Sequence, residues 1–401
     1  MTLFTSPASD TENGSSDSIT AKSRKPRAKA RVKTTAVTAT SAYLSKAQAD
    51  AFGREMDAIR EQVLASRGAK DAAYIRRMIR IQRGTEVGGR ALIYAGIFFP
   101  PALLAGAATL GAAKILDNME VGHNIMHGQW DWMRDPKIHS STWEWDTACP
   151  ADQWKHSHNV EHHTWTNVVG KDKDVGYGIL RMSSQEPWQP RHLLNPINNA
   201  LLATLFQWGV AVHDTGIEQV RTPTALKNMP AEMKTKLRGV WQKAKKQVLK
   251  DYVLFPALAG PFFAPVLAAN VGANLTRNFW TYMIIFCGHF PDGVQQFSEE
   301  SIQGESRGQW YLRQLLGSAN IEGGKLFHVM SGNLSFQIEH HLFPDLPSNR
   351  YAEIAPQVQA ICEKYGLPYN SASLSRQFGT TIKRVFQMAV PNRQELKAAF
   401  A

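Results

Sequence analysis

Cysteine is nearly absent from this sequence. Cys149, Cys287 and Cys362 are the only three in 401 residues, far apart and forming no C-x-x-C. That excludes a disulfide framework and suits a reducing compartment. No apolar run follows the basic residues near the N-terminus, which excludes a secretory signal. There is no internal repeat. Mean hydropathy is −0.30, too low for a chain mostly immersed in lipid, though it leaves room for a few spans attached to a polar part. Acidic residues are outnumbered, 34 against 45 Lys and Arg, for a net charge of +11. Such a balance suits nucleic acid, an anionic membrane surface or an acidic partner. Placement decides against nucleic acid, because the excess sits in a tail and one loop rather than in an aromatic-laced groove. Seven of the basic residues fall at 22–33, within Ser/Thr/Ala/Lys text too poor in apolar residues to offset its ordering entropy. Residues 1–40 are therefore expected to form a disordered basic tail, and 391–401 a second, C-terminal tail.

Between the tails, 41–390 reads as one domain. Residues 45–83 place Phe52, Met56, Ile59 and Val63 at helical spacing among charges, the pattern of a polar-faced amphipathic helix and its continuation. Charge then disappears over 91–113, 193–212, 252–276 and 278–291. A hydrocarbon core of about 30 Å takes about 20 helical residues, so these stretches are the membrane candidates. Pro100-Pro101 interrupts the first, favouring two short passes or a re-entrant hairpin. Asn195, Asn198, Asn199 and Gln207 mark the second as interfacial or packed in the polar part. Residues 214–250 hold nine Lys and Arg against three acids, which places them on the cytoplasmic side. Two hairpins, about 91–116 and 252–291, satisfy that orientation if 193–212 does not cross. The expectation is an all-α integral membrane protein with about four transmembrane helices, in the inner membrane if the source is bacterial, its polar part facing the cytoplasm. The bland alternative is four buried helices of a soluble protein.

Seven of the 13 histidines fall in three tight clusters: His123-Asn-Ile-Met-His127, His158-Asn-Val-Glu-His162-His163 and Gln337-Ile-Glu-His340-His341. Residues i and i+4 share a helix face, so His123 and His127 can aim at one place, as can His158 and His162. His163 points about 100° away on such a helix, toward a second ion. Seven imidazoles exceed a tetrahedral zinc site and suit two metals. Imidazole accepts Zn, Cu, Fe or Ni, so the ligand type alone does not name the metal. His289 closes the last apolar run, on the side where the clusters lie, and is a candidate eighth nitrogen. Glu120-Val-Gly-His123 is an E-x-x-H, but carboxylate di-iron bundles need two such motifs and two more glutamates. Glu120, Glu161 and Glu339 read better as groups that orient ligand imidazoles, or simply as helix-surface carboxylates. His139, His156, His192, His213 and His328 have no ligand-spaced partner and are left as packing or surface residues.

In this order the boxes H-x3-H, H-x3-H-H and Q-x2-H-H resemble the membrane fatty acid desaturase family. The flanks, Gly122–Met133, His139–Asp146 and Gly332–Pro344, look like those of bacterial acyl-CoA desaturases of the stearoyl-CoA Δ9 type. The resemblance runs from about 50 to 390. It implies a helical cap over four transmembrane helices, carrying two iron ions (Fe2+) that face the cytosol, with O2 as co-substrate and two electrons per double bond. It carries His123, His127, His158, His162, His163, His340 and His341 over as metal ligands, and His289 as the additional one. Gln337 stands where many members have histidine. With Asn333, Glu120, Glu161 and Glu339 it is assigned to weak ligation or ligand orientation. No His-Pro-Gly-Gly of a fused haem domain is present, so a separate ferredoxin or reductase is the expected donor. The basic loop 214–250 serves to dock it or, more simply, to set topology. The implied reaction places a cis double bond in a saturated acyl chain, with acyl-CoA as the favoured carrier. Trp130, Trp132, Trp143 and Trp145 can line an acyl tunnel, or pack in the core. Hydroxylation of an acyl chain or alkane by the same apparatus is the alternative, and a non-catalytic metal-binding membrane protein is a third reading.

Overall fold

The computed structural model describes residues 40–220, 222–392 and 395. The expected basic tail lies outside the described residues save for Thr40, as does most of the C-terminal tail. The described chain is mostly helical, and the longer helices are numbered here in order. Helix α1 (Lys46–Ser66) opens on a reciprocal cap in which Ser45 and Gln48 each accept from the other's backbone N–H. Its stripe of Phe52, Met56, Ile59 and Val63 is buried against Leu312, Leu315 and Val358, each side chain contributing about 1.5–3 kcal/mol of apolar burial.

Arg67 is extended and ends α1, so the continuous helical text of 45–83 divides here. Helix α2 (Ala69–Ala95) carries the chain into the first charge-free stretch, and α3 (Pro100–Leu116) returns it, with Pro100 at the first helical position, where a missing N–H costs nothing. The two lie backbone to backbone. A Cβ on Gly89 would sit 2.7 Å from Leu110 N, and one on Gly106 only 2.5 Å from Ile93 N, so only glycine permits the contact.

The stretch 193–212 splits at Leu205 into α4 (Asn195–Thr204) and α5 (Phe206–His213). At 1.5 Å per residue, α4 is about 15 Å long. Basic α6 (Ala231–Val248) leads through a π-helical turn, Leu249–Leu254, to a second tip near Gly260, and α7 (Phe263–His289) returns. No helix of the described residues is long and apolar enough to cross a membrane. Helix α7 has the length, but it interrupts its apolar text with Asn270, Asn274, Arg277 and Asn278, all buried.

Between the hairpins those polar groups meet partners. Lys114 Nζ lies 2.7 Å from Asp251 and 3.1 Å from Asp146, Arg90 pairs with Asp251 at 3.1 Å, and Asn274 donates to Asp251 at 3.2 Å. The remaining long elements are α8 (Arg307–Leu316), α9 (Gln337–Leu342), α10 (Tyr351–Lys364) and α11 (Leu374–Ala389). A parallel pair of three-residue strands, β1 (Asn320–Glu322) and β2 (Ser371–Ser373), joins the segment before α9 to the start of α11. Both return arms end in histidine: α3 runs on to His123, and α7 stops at His289.

Candidate metal centre

The first box continues α3 as a π-helical turn, Asp117–His123, followed by one α-turn and His127. The second begins after Pro150, passes through a π-helical turn, Lys155–His162, and ends in the turn His163–Trp165. π-turns are rare and cluster at functional sites. The third box is α9, buried over its whole length.

Three chain segments and the end of α7 thus bring eight imidazoles together. Ligand-capable atoms of His123, His127, His158 and His340 lie within 4.8 Å of one another, as do those of His162, His289 and His341. His163 stands between the groups, 4.7 Å from the His127 ring and stacked at 4.5 Å on His341. Across the centre, His123 Nε2 is 3.4 Å from His340 Nε2, and His289 Nε2 is 3.3 Å from His341 Nε2. The amide of Gln337 reaches both His289 (2.9 Å) and His341 (3.2 Å), putting it inside the second group.

The outward nitrogens are held. His162 Nδ1 is 3.0 Å from both oxygens of Asp172, His341 Nδ1 is 3.1 Å from Gln314 Oε1 and 3.2 Å from Thr166 Oγ1, and His340 Nδ1 is 3.3 Å from the Tyr351 hydroxyl. The inward ones are not: His127 Nε2, His158 Nε2, both nitrogens of His163 and Gln337 Oε1 are buried without a hydrogen-bond partner. Buried nitrogens that converge on one place and outnumber the donors among them fit metal ions, and the outer contacts fit the tautomer that ligation needs.

Burial, with the neighbouring His162, pushes His123 down to about 3, and it pushes His127, His158, His163, His340 and His341 well below the usual imidazole range. They are neutral, as ligands must be. His162 differs. Burial lowers it, but the charge and hydrogen bond of Asp172 more than offset this and raise it to about 8.

The glutamates take other roles than orienting imidazoles. Glu120 accepts from Tyr74 (2.8 Å), Asn333 (2.9 Å) and Ser348 (3.0 Å), and Glu339 from Asn320 and Tyr369 (both 2.8 Å). With no cation beside them, burial pushes these carboxyls up to about 8 and about 7. Glu161 pairs with Lys173 at 2.8 Å, toward the surface. Asn333 thus bonds Glu120 and Tyr74, not an imidazole. Sequence reasoning missed Asp172, Gln314, Thr166 and Tyr351, the groups that do touch imidazole. Asp172 carried the one faint signal, following the second box in Asp172-Lys-Asp174.

Beside His123 and His158 a cavity opens between Trp145, Trp154, Tyr177 and Phe206. The Trp154 ring stacks on His158 at 4.4 Å. Of the four tryptophans offered for a tunnel, Trp145 lines this cavity, while Trp130 is packed with Ile75 and Ile125 in the core.

Comparison with known proteins agrees with this arrangement. The fatty acid desaturase family model matches residues 98–373. A protein of Mycobacterium tuberculosis, NADPH-dependent stearoyl-CoA 9-desaturase, is 48% identical over 88% of this chain and 82% of its own. An sn-1 linoleoyl-lipid 6-desaturase of Synechocystis is 25% identical over 69% of this chain and 77% of its own, and an acyl-lipid (7-3)-desaturase of Rebecca salina is 25% identical over 72% and 64%. The match covers all three histidine boxes and the return arms that carry them, and on it the chain belongs to the fatty acid desaturase family.

Proposed function

We propose that this protein introduces a cis double bond into a saturated acyl chain carried as its CoA thioester, at the Δ9 position, using two iron ions, O2 and electrons from a separate ferredoxin or reductase. The observation that carries the reading is the set of inward-facing imidazole nitrogens beside a cavity walled largely by aromatic side chains, with Asn118, Gln207, Arg277 and Asn278 also on its lining. The CoA carrier and the position rest on likeness to the mycobacterial relative. His123, His127, His158, His163 and His340 would hold one side of the centre, and His162, His289 and His341 the other, with Gln337 within reach of the second. Bound iron would activate O2, the oxidant that, with two electrons and two protons from the donor, is reduced to water as two hydrogens leave the unactivated methylenes.

The chain's own residues position and exclude. Asp172 accepts the Nδ1 proton of His162 and turns Nε2 toward the centre, where a metal ion would take the place of its proton. Gln314 and Tyr351 fix the rings of His341 and His340 in the same way. Trp145, Trp154, Tyr177 and Phe206 wall the cavity with apolar surface, which keeps water from the reacting carbons and holds the chain against sliding. Sliding matters because one carbon is about 1.3 Å, and misplacement on that scale costs rate.

The same reading makes the protein an integral membrane enzyme, with its hairpins in the lipid and its histidines toward the cytoplasm. Supporting it, Phe98 (89% exposed), Phe99 and Leu104 crowd the first hairpin tip, and Leu258 (67%) stands at the second. Large exposed apolar groups gathered at two tips fit an apolar surrounding.

The test is the fatty-acid profile of cells expressing the protein beside a His162→Ala variant, read by gas chromatography–mass spectrometry with double-bond derivatisation. A new Δ9-unsaturated acid that vanishes in the variant is expected. A hydroxylated product would replace desaturation by hydroxylation, and protein purified without iron would remove the di-iron reading.

A further inference from the structure

The lysines and arginines of α6 divide into two sets. Those facing the protein are paired: Lys236 with Glu232 at 3.3 Å, Lys243 with Glu144 at 2.9 Å and the Trp145 carbonyl at 2.6 Å, and, just beyond the helix, Lys250 with Asp146. Lys234, Arg238, Lys245 and Lys246 have no side-chain partner among the described residues. Lys234, Arg238 and Lys245 share one stripe with Trp241, which is 67% exposed, and Lys246 flanks it. Spacings of four, three and four residues keep these positions on one helix face. The opposite face, with Val240, is packed against Trp145, Ala148 and Trp154.

Followed toward the second hairpin, the outer stripe changes character. Val248 and Leu249 are exposed, then Val253, Leu254 and Leu258. Leu249, Val253, Leu254 and Ala257 form an apolar groove beneath Lys246 and Lys250. The order is thus free cations, one exposed tryptophan, free cations, and apolar groups continuing into the hairpin. A soluble acidic partner would match the cations but would leave the groove and the run of exposed leucines without a counterpart. The headgroup-to-tail transition of a bilayer matches the run from cations to apolar groups: Lys245 and Lys246 to phosphate, and leucine and valine to acyl chains, with Trp241 one turn above at headgroup level.

We infer that the outer face of α6 is a binding surface for anionic phospholipid, with the headgroup phosphate on Lys245 and Lys246 and an acyl chain in the groove below. The inference rests on the membrane reading given above. Because the inner face of α6 packs on Trp145 and Trp154, two walls of the cavity, lipid engagement steadies the helix that covers the cavity's flank.

The experiment uses the full-length, iron-loaded protein in vesicles of phosphatidylcholine, with and without phosphatidylglycerol. Fluorescence quenching by lipids carrying a nitroxide at headgroup level is compared for wild type and Trp241→Phe. The difference isolates Trp241, and it is expected to be quenched, more strongly when the vesicles contain phosphatidylglycerol. In native mass spectrometry, phosphatidylglycerol bound in preference to phosphatidylcholine is expected to fall about fivefold per charge removed through K234Q, R238Q, K245Q and K246Q. Glutamine keeps helix propensity, and iron content and melting temperature should not change. A Trp241 component that lipid does not quench would overturn the inference. So would a quadruple variant that retains phosphatidylglycerol, or one that instead loses only its reduction by an acidic ferredoxin, which would make the stripe a protein dock. Failure of the wild type to enter vesicles would remove the membrane reading and this inference together.

Discussion

Two regions of the molecule bury many polar groups and treat them in opposite ways. Between the hairpins, Lys114, Arg90, Asp251 and Asp146 interlock, cation against carboxylate, with Asn274 completing the shell of Asp251. In the histidine centre, the groups facing inward are almost all neutral bases, and several have no partner. A matched set of donors and acceptors is complete without anything added. A set in which acceptors outnumber donors is costly to bury unless cations complete it. The contrast separates a polar cluster that holds helices together from one built to hold ions.

Breaking the ion-holding set should have the largest effect. Replacing His162 or His340 by alanine is expected to lower iron content and desaturation by more than about 100-fold, beyond the 10–100-fold typical of groups that merely orient ligands. Melting temperature of the metal-free protein should move little in His340→Ala and fall further in His162→Ala, which also takes the partner from buried Asp172. Elemental analysis and product assay on the same preparation check this. The paired set should answer in the reverse manner. Asp251→Ala takes one carboxylate from Lys114, which keeps Asp146, and from Arg90, which keeps Glu86, and is expected to cost about 1.5–3 kcal/mol of stability. The protein that does fold should keep its iron stoichiometry. If Asp251→Ala instead stripped iron from folded protein, the two regions would not be the separate devices described above.

Orienting groups fall between. Asp172→Asn keeps the shape of the side chain but loses the charge and one acceptor beside His162 Nδ1. Iron affinity is expected to drop 10–100-fold, with kcat reduced and the product position unchanged. Tyr351→Phe removes one 3.3 Å contact to His340, along with the hydroxyl's bonds to Gln129 and the Phe343 carbonyl, and should cost iron affinity about tenfold or less on the same scale.

Legibility followed sequence distance. Box histidines declare themselves because i, i+3 and i+4 spacing is local, and His289 because it ends an apolar run. The orienting groups do not, since Gln314 meets His341 across 27 residues and Tyr351 meets His340 across 11, distances that only the folded path fixes. Glu120 was visible in E-x-x-H, yet its partners Tyr74 and Ser348 lie 46 and 228 residues away and give it a different role. The helical hairpins were legible as charge-free text, but their bounds were not. Helix α2 begins at Ala69, well before charge disappears, because Arg, Gln and Glu continue a helix as readily as leucine does. The π-turns left no mark at all, since each depends on one extra residue in a turn rather than on a residue type.

The smallest effect expected lies outside both clusters, at the seam between the N-terminus of α2 and the segment before α10. Asp71 is fully buried there and accepts from Arg350 at 2.7 Å, Asn349 at 2.8 Å and the Gly68 N–H at 2.9 Å. Burial pushes its carboxyl up, but Arg350 and the two neutral donors more than offset that and hold it below the usual range. A carboxyl whose folded pKa is depressed contributes stability that is fully present above its unfolded value, about 3.9, and is lost as pH falls through the folded value. Asp71→Asn should therefore lower the melting temperature of the metal-free protein by about 2 °C at neutral pH. The gap between variant and wild type should close once pH falls below about 4. Taking the difference between the two proteins removes the titration of the histidines, which is common to both. A gap that persisted unchanged into acid would assign the contribution of Asp71 to packing rather than to its charge.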